Sequence, residues 1–380
     1  MAERIFTARS PGKPSPRRWT VKAGRVARVE AADPNTPADD WLLPPLLDVQ
    51  VNGYAGVDFQ AADLSEDQLL RAVRGLRRTG CTRFLPALIT DRWEAMLGKL
   101  RRLRQLRQAS AELRSAIVGW HIEGPFLSSE PGFHGAHDSA LMLDPTPEHI
   151  HALREAAGED LLLLTLAPGR EGAIPAIALA TSLGMKVSLG HTNASAATLR
   201  AAVAAGATGF THLANACPQL LDRHDNILWR VFDTPGLTVS LIADTRHVSP
   251  ALFRLVHRLL PSNKIIYTTD AMSAASAPPG RYRLGALEMD VGDDRIVRQP
   301  GQTNFAGSAL TPVEAVFNAA DMLGVSWLET WERMSVGPAR WLGLPTGLAV
   351  GQPTDFCLVR ASADGTLERL RTFCAGEEIE

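Results

Sequence analysis

Residues 185–213 read MKVSLGHTNASAATLRAAVAAGATGFTHL. An apolar, β-leaning run ends in His191, a stretch with apolar residues at helical spacing fills 193–207, and a second β-leaning run over 208–213 carries His212. Strand, helix, strand in so short a span is the parallel βαβ unit, because parallel neighbours need a crossover that an α-helix supplies. The two imidazoles stand 21 residues apart. That is the length of one repeat, so each closes its own strand and both face the same end of the sheet.

Working outward, the same alternation recurs. LLDVQV (46–51), CTRFLPAL (81–88), SAIVGWHIE (115–123), LLLLTLA (161–167), LTVSLIA (237–243) and KIIYTTD (264–270) join the two runs above to make eight. Helix-compatible stretches such as SEDQLLRAVRGLRRTG (65–80) lie between most of them. Near-continuous apolar strands alternating with helices predict a parallel sheet covered on both faces, and eight units predict an α/β (β/α)8 TIM-like barrel. Pro86 argues mildly against a central position for the second strand.

The ends follow a different pattern. RWTVKAGRVARVE (18–30) and GLAVGQPTDFCLVRASADGTLERLRTF (347–373) carry alternating or glycine-punctuated strand signals without a helix. Segments 1–43 and 346–380 are therefore expected to pair into a small β domain beside a barrel spanning 44–345. DVGDDRIVR (290–298) suggests a hairpin inserted around 281–299, and 309–343 returns to helix.

Composition narrows the function. The chain has 380 residues, 45% hydrophobic and 21% charged, with a formal charge of -2. Such a balance suits a globular enzyme and offers no broad basic field for nucleic acid; RRLRQLR (101–107) reads as a solvated helix face. No apolar stretch approaches the roughly 18 residues of a membrane span, and MAERIFTARS lacks a signal-peptide core. A cytoplasmic location without a membrane partner is expected. The four cysteines, Cys81, Cys217, Cys357 and Cys374, have no C-x-x-C spacing, as buried thiols in a reducing compartment would.

Active sites of such barrels lie at the C-terminal ends of the strands. There the sequence puts His121 and Glu123 (GWHIEGPF), His191, His212 and Asp270 (YTTDAM). Any one histidine is more often structural, but together they form a pattern. Two imidazoles and one carboxylate are a common catalytic zinc set with an open fourth position, and a divalent ion held in that way favours hydrolysis. An additional carboxylate must then move protons, and Asp270 suits that role.

The blocks LLDVQVNGYAGVDF, GCTRFLPALIT, GWHIEGPFLSSEPGFHGAHD, VSLGHTNAS, THLANACP, IADTRHV, TTDAMSAASAPPGRYRLG and FAGSALT together resemble the N-acetylglucosamine-6-phosphate deacetylases of the amidohydrolase superfamily. They run in family order through essentially the whole chain. The resemblance implies hydrolysis of the acetamide of N-acetyl-D-glucosamine 6-phosphate to glucosamine 6-phosphate and acetate. One divalent metal would be held by Glu123, His191 and His212, zinc ahead of iron, manganese or cobalt, with Asp270 as the catalytic base and acid. It further implies that Arg223 and His247 meet the phosphate, that Asn215 and Ala216 contact the substrate through side chain and backbone, that Ala136 and His137 lie over the sugar, and that Phe305, Ala306 and Gly307 close the pocket. Members of the family usually work as homodimers whose phosphate-binding residues reach across to the partner.

Two departures stand out. Where many amidohydrolases carry a first-strand His-x-His pair for a second metal, this chain has Gln50 and Asn52, whose neutral amides are poor ligands beside imidazole. They, with His121, are candidates for supporting positions behind the metal. Thr245 and Arg246 stand where the family usually has glycine and an apolar residue. That leaves open the same chemistry on the galactosamine 6-phosphate epimer or an unphosphorylated sugar, besides a catalytically silent sugar-phosphate-binding barrel.

Overall fold

The computed structural model describes residues 3–13, 15–33, 36, 38–301 and 305–379. Eight parallel strands form one sheet: β1 (Leu46–Val51), β2 (Cys81–Ile89), β3 (Gly119–Glu123), β4 (Leu161–Leu166), β5 (Lys186–Leu189), β6 (Gly209–Phe210), β7 (Thr238–Ile242) and β8 (Ile265–Thr268). Neighbours in sequence are neighbours in space from β1 to β8. Helices lie between most of them, as a (β/α)8 barrel requires.

Local chemistry sets where these helices begin. Helix Glu66–Arg78 starts at Ser65, which accepts from the Gln68 amide while Gln68 reaches back to the Ser65 N–H. Glu66 and Asp67 occupy its first turn and Arg77 and Arg78 its last, matching the helix dipole at both ends. Pro86 is accommodated within β2, opposite Val51 of the first strand, where the β1–β2 register is irregular.

The barrel interior is filled, not hollow. Leu47 and Val49 from β1, Leu85 from β2, Leu163 from β4 and Ile266 from β8 pack with Ala339 and Leu342 of helix Val336–Leu342 at one end. Nearer the strand ends, the filling turns polar. His121 lies between the Val49 carbonyl at 3.0 Å and Thr165 Oγ1 at 2.8 Å, and the chain of contacts continues through Thr211 to Ser188.

Closure between β8 and β1 is made differently from the other seven junctions. A single backbone bridge, Val51 to Ala271, joins them beyond the end of β8. Side chains do the rest. Asp48, fully buried, accepts from Thr268 Oγ1 at 2.6 Å, Thr269 Oγ1 at 2.5 Å, the Thr269 N–H at 3.2 Å and the Gln50 N–H at 3.2 Å. Burial pushes its carboxyl up to about 6, against the hydrogen bonds from the two threonines.

The terminal segments form two antiparallel sheets. One joins Arg4–Ala8, Arg17–Lys22 and Arg25–Ala31; the other joins Trp41–Leu43, Phe356–Ala361, Leu367–Cys374 and Glu377–Glu378. Their apolar faces meet in one small core of Ala8, Trp19, Val21, Val26, Leu42, Phe356, Leu358 and Phe373. After β8, strands Gly280–Leu284, Leu287–Val291 and Val297–Arg298 make an antiparallel insert. Among the described residues no helix is long and apolar enough to cross a membrane.

The raised Asp48 carboxyl has a thermodynamic sign. Its folded value of about 6 exceeds the ordinary 3.8, so the stabilisation it brings is complete below about pH 4 and is lost as pH rises through about 6. At about 1.36 kcal/mol per unit, that loss is about 3 kcal/mol. Asp48→Asn does not carry it. Denaturant melts should therefore show the variant's stability penalty largest near pH 4 and smaller at pH 7; a penalty that is constant with pH contradicts the assignment.

Candidate active site

Glu123 ends β3, while His191, His212 and Asp270 each follow the last residue of β5, β6 and β8 by two. At those positions the chain leaves the sheet by an unusual route. His191 (φ 50°), His212 (φ 31°) and Asp270 (φ 51°) are all non-glycine residues in the left-handed region, at a cost of about 1–3 kcal/mol each. Strain of that size persists only where surrounding contacts hold it, and here it falls on three of the four candidate residues.

Those groups converge. His212 Nε2 lies 2.8 Å from Glu123 Oε1, His191 Nε2 lies 3.4 Å from the same oxygen, and the two Nε2 atoms are 3.2 Å apart. For a tetrahedral ion bound at about 2.0–2.1 Å, ligand atoms should stand about 3.3 Å from one another. The three edges bracket that value. His191 Nδ1 stands 3.1 Å from the Phe133 carbonyl, an arrangement that leaves Nε2 as the ligand atom. Gly135 lies against this ring: a Cβ there would be 3.1 Å from His191 Cε1, and its φ of 61° already calls for glycine.

Electrostatics agree with a cation site. Burial alone would raise Glu123, but hydrogen bonds from His137, His191 and His212 hold its carboxyl well below the usual range. Burial pushes His191 down to about 4, keeping it neutral with a lone pair to give. His212 shifts upward because its bond to Glu123 and that residue's charge outweigh burial. A buried carboxylate ringed by imidazoles in this way calls for positive charge, and the donor set fits a divalent metal.

Asp270 answers to different forces. Burial, then the negative charge of Glu123, push its carboxyl up to about 6. Gln50 Nε2 at 2.9 Å and Asn52 Nδ2 at 2.7 Å both donate to its Oδ1. No hydrogen bond from a described residue reaches Oδ2. The two amides that stand in place of an imidazole pair thus hold the carboxylate across from the triad, and their own carbonyl oxygens are buried without a partner among the described residues.

A cavity of about 490 Å³, a size typical of small-molecule sites, opens over these groups. Of the residues expected to meet a sugar phosphate, Ala136, His137, Asn215, Ala216, His247, Phe305, Ala306 and Gly307 all line it. His137 is held by Thr90 Oγ1 at 2.9 Å, with Nε2 3.7 Å from Glu123 Oε2. Asn215 Nδ2 donates to the His212 carbonyl.

Arg223 and His121 are placed elsewhere. The Arg223 side chain is exposed on the loop before helix Ile227–Phe232 and does not line its own chain's cavity. His121 is buried below the cavity, hydrogen-bonded to Val49 and Thr165, because its position two residues before Glu123 puts it one layer deeper in the barrel. Arg246 is exposed and faces a separate cavity with Asp294, Arg295 and Glu314.

Some contributors escaped the sequence reading. Leu284 of the inserted hairpin lines the cavity, with no signal beyond the insertion itself. Asp244 bonds His247 Nδ1 at 2.6 Å, and its position three residues before that histidine was available as a hint. Cys217 lines the mouth as a half-buried thiol whose pKa burial raises, in keeping with a filler.

No protein-family model matches the chain. Its curated relatives are informative. The N-acetylglucosamine-6-phosphate deacetylase of Mus musculus is 32% identical over 351 residues, covering 89% of this chain and 83% of the relative. An N-acetylgalactosamine-6-phosphate deacetylase of Escherichia coli O157:H7 is 31% identical over 326 residues, covering 85% and 84%. Among solved structures, a mutant N-acetyl-D-glucosamine-6-phosphate deacetylase from Mycobacterium smegmatis, in complex with N-acetyl-D-glucosamine-6-phosphate, matches with a TM-score of 0.88 at 31% identity over 100% of both chains.

The triad geometry makes a direct prediction. Glu123→Gln, His191→Ala and His212→Ala should each weaken divalent-metal binding by at least roughly 100-fold, while Gln50→Leu leaves it within about tenfold. Elemental analysis after dialysis against a metal buffer reads both. Full metal content in all three triad variants would dismiss the centre.

Proposed function

The chain belongs to the N-acetylglucosamine-6-phosphate deacetylase family, and on that premise we propose that it hydrolyses the acetamide of N-acetyl-D-glucosamine 6-phosphate, releasing acetate and glucosamine 6-phosphate. The observation that carries this reading is the meeting of Glu123, His191 and His212 within 4.8 Å, with Asp270 held across from them by two amides. When bound, one divalent ion, zinc in our reading, acidifies water and polarises the amide carbonyl.

The chain's own groups do the rest. Asp270 takes a proton from the attacking water and returns it to the departing amine nitrogen, a single carboxyl serving as base and then acid. Donation by Gln50 and Asn52 to Oδ1 leaves Oδ2 as the proton-handling oxygen. His137 and Asn215, both in the cavity wall, are assigned to the sugar, and His247, oriented by Asp244, to the phosphate. An imidazole and a guanidinium suit a phosphate dianion through charge-assisted hydrogen bonds.

Arg223 enters this scheme only from a second copy of the chain. Its exposure outside its own cavity supports that arrangement, as do its neighbours Leu220, 93% exposed, and Trp229, 42% exposed, which would be covered in a homodimer. A cytoplasmic location fits the same reading. One observation favours a second substrate: the galactosamine relative, at 31% identity, falls within the 28% to 32% range of the glucosamine ones. Acetate release from the two epimers, phosphorylated and plain, decides between them.

Asp270→Asn should lower kcat by roughly 10²–10⁴, with bound metal unchanged by elemental analysis. Wild-type turnover in this variant would end the base assignment. His247→Ala and Arg223→Ala should each raise KM for the phosphorylated sugar by roughly 10- to 100-fold, as loss of a hydrogen bond to a charged group does, and barely change kinetics on the plain sugar. Equal effects on both sugars would remove these residues from the phosphate site.

A further inference from the structure

Asp270 has two anchors. Its side chain is tied to β1 through Gln50 and Asn52, and its backbone is held in a left-handed turn that a residue other than glycine adopts only under constraint. Downstream, Ser308 N–H donates to the Asp270 carbonyl at 2.9 Å, Ser308 Oγ to the Thr269 carbonyl at 2.6 Å, and Asn52 N–H to the Ala271 carbonyl at 2.7 Å. Upstream, Thr269 is held by Asp48, and its Oγ1 also accepts from the Ala271 N–H at 3.1 Å across the Asp270 turn.

The Asp48 carboxylate receives Thr269 Oγ1 at 2.5 Å and the Thr269 N–H, and it also receives the Gln50 N–H at 3.2 Å. Thr269 directly precedes Asp270, and Gln50 donates to Asp270. A closed ring results: Asp48 to Gln50, Gln50 to Asp270, Asp270 to Thr269 through the chain, and Thr269 back to Asp48. One buried group thus fixes both the donor and the acceptor ends of the bond that orients Asp270.

We propose that Asp48 is a positioning residue for the hydrolytic step, its carboxylate holding Thr269 and Gln50 so that Asp270 presents its free oxygen in the geometry for proton transfer. The inference rests on Asp270 being the base. Closing the seam alone does not call for a carboxylate, since apolar packing closes barrels without the expense of burying a charge. Four donors converging on one group do call for it: two oxygens offer about four lone-pair sites, whereas an asparagine would aim an N–H₂ at other donors.

Thr268 provides the internal control. It makes a similarly short bond to Asp48, 2.6 Å, and a long contact of 3.5 Å with the Gln50 carbonyl, but unlike Thr269 it is not bonded through the chain to Asp270. We expect Asp48→Asn and Thr269→Val to lower kcat about 100-fold, as a small misplacement of a reacting group does, with KM within about threefold and metal content retained. Thr269→Ser, keeping the hydroxyl, restores kcat to within about threefold of wild type, on the same positioning argument. Thr268→Val lowers the melting temperature comparably to Thr269→Val but lowers kcat far less, by no more than about tenfold, because its link to Asp270 is indirect.

Losses of kcat that track melting temperature alike in Thr268→Val and Thr269→Val would overturn the proposal, as would a wild-type kcat in Asp48→Asn. If Asp48→Asn does not fold, the threonine set decides. Asp270→Asn is assayed alongside. Should it retain turnover, the base assignment fails and the proposal falls with it; should it lose turnover while Thr269→Val keeps its kcat, only the proposal falls.

Discussion

A barrel presents four strand ends to one cavity only if its last strand meets its first, and here that junction depends on hydrogen bonds to the buried carboxylate of Asp48. Backbone pairing between β8 and β1 is reduced to one bridge. Threonines 268 and 269 donate in its place. The consequence reaches the cavity directly, since the residue after Thr269 is Asp270. A fold-level requirement and a chemical one thus share the bonds from Thr269 and Gln50 to Asp48.

Two carboxylates at the cavity floor are driven apart by their surroundings. Glu123 is held well below the usual range by three imidazoles, whereas burial and the charge of Glu123 lift Asp270 to about 6. Environments that separate two acids in this way assign them different work. Glu123 is committed to ionisation. Asp270, with a pKa nearer neutrality, can both accept and release a proton.

The amide pair at the end of β1 is matched to an anion, not to a cation. Imidazoles at positions 50 and 52 would offer lone pairs, which suit a cation. Gln50 and Asn52 instead offer N–H groups, which suit an anion, and the anion present is Asp270. The pair turns the end of β1 into a support for the carboxylate across from the triad.

The sequence by itself determined the eightfold strand–helix alternation, because near-continuous apolar runs such as LTVSLIA and helical spacing such as that of 193–207 are local properties of the chain. It also placed Glu123, His191, His212 and Asp270 at strand ends, since strand ends can be read from where an apolar run stops. What it could not contain were relations between distant residues. Asp48 lies 220 positions from Thr268, and Gln50 the same from Asp270. Only closure of the barrel decided that these meet and that His121 belongs one layer below the cavity, and only the folded chain shows that Arg223 lies outside the cavity's lining. The physical reason is that hydrogen bonds and ion sites depend on separations of a few ångströms, which composition and periodicity along the chain do not specify until the sheet closes and fixes them.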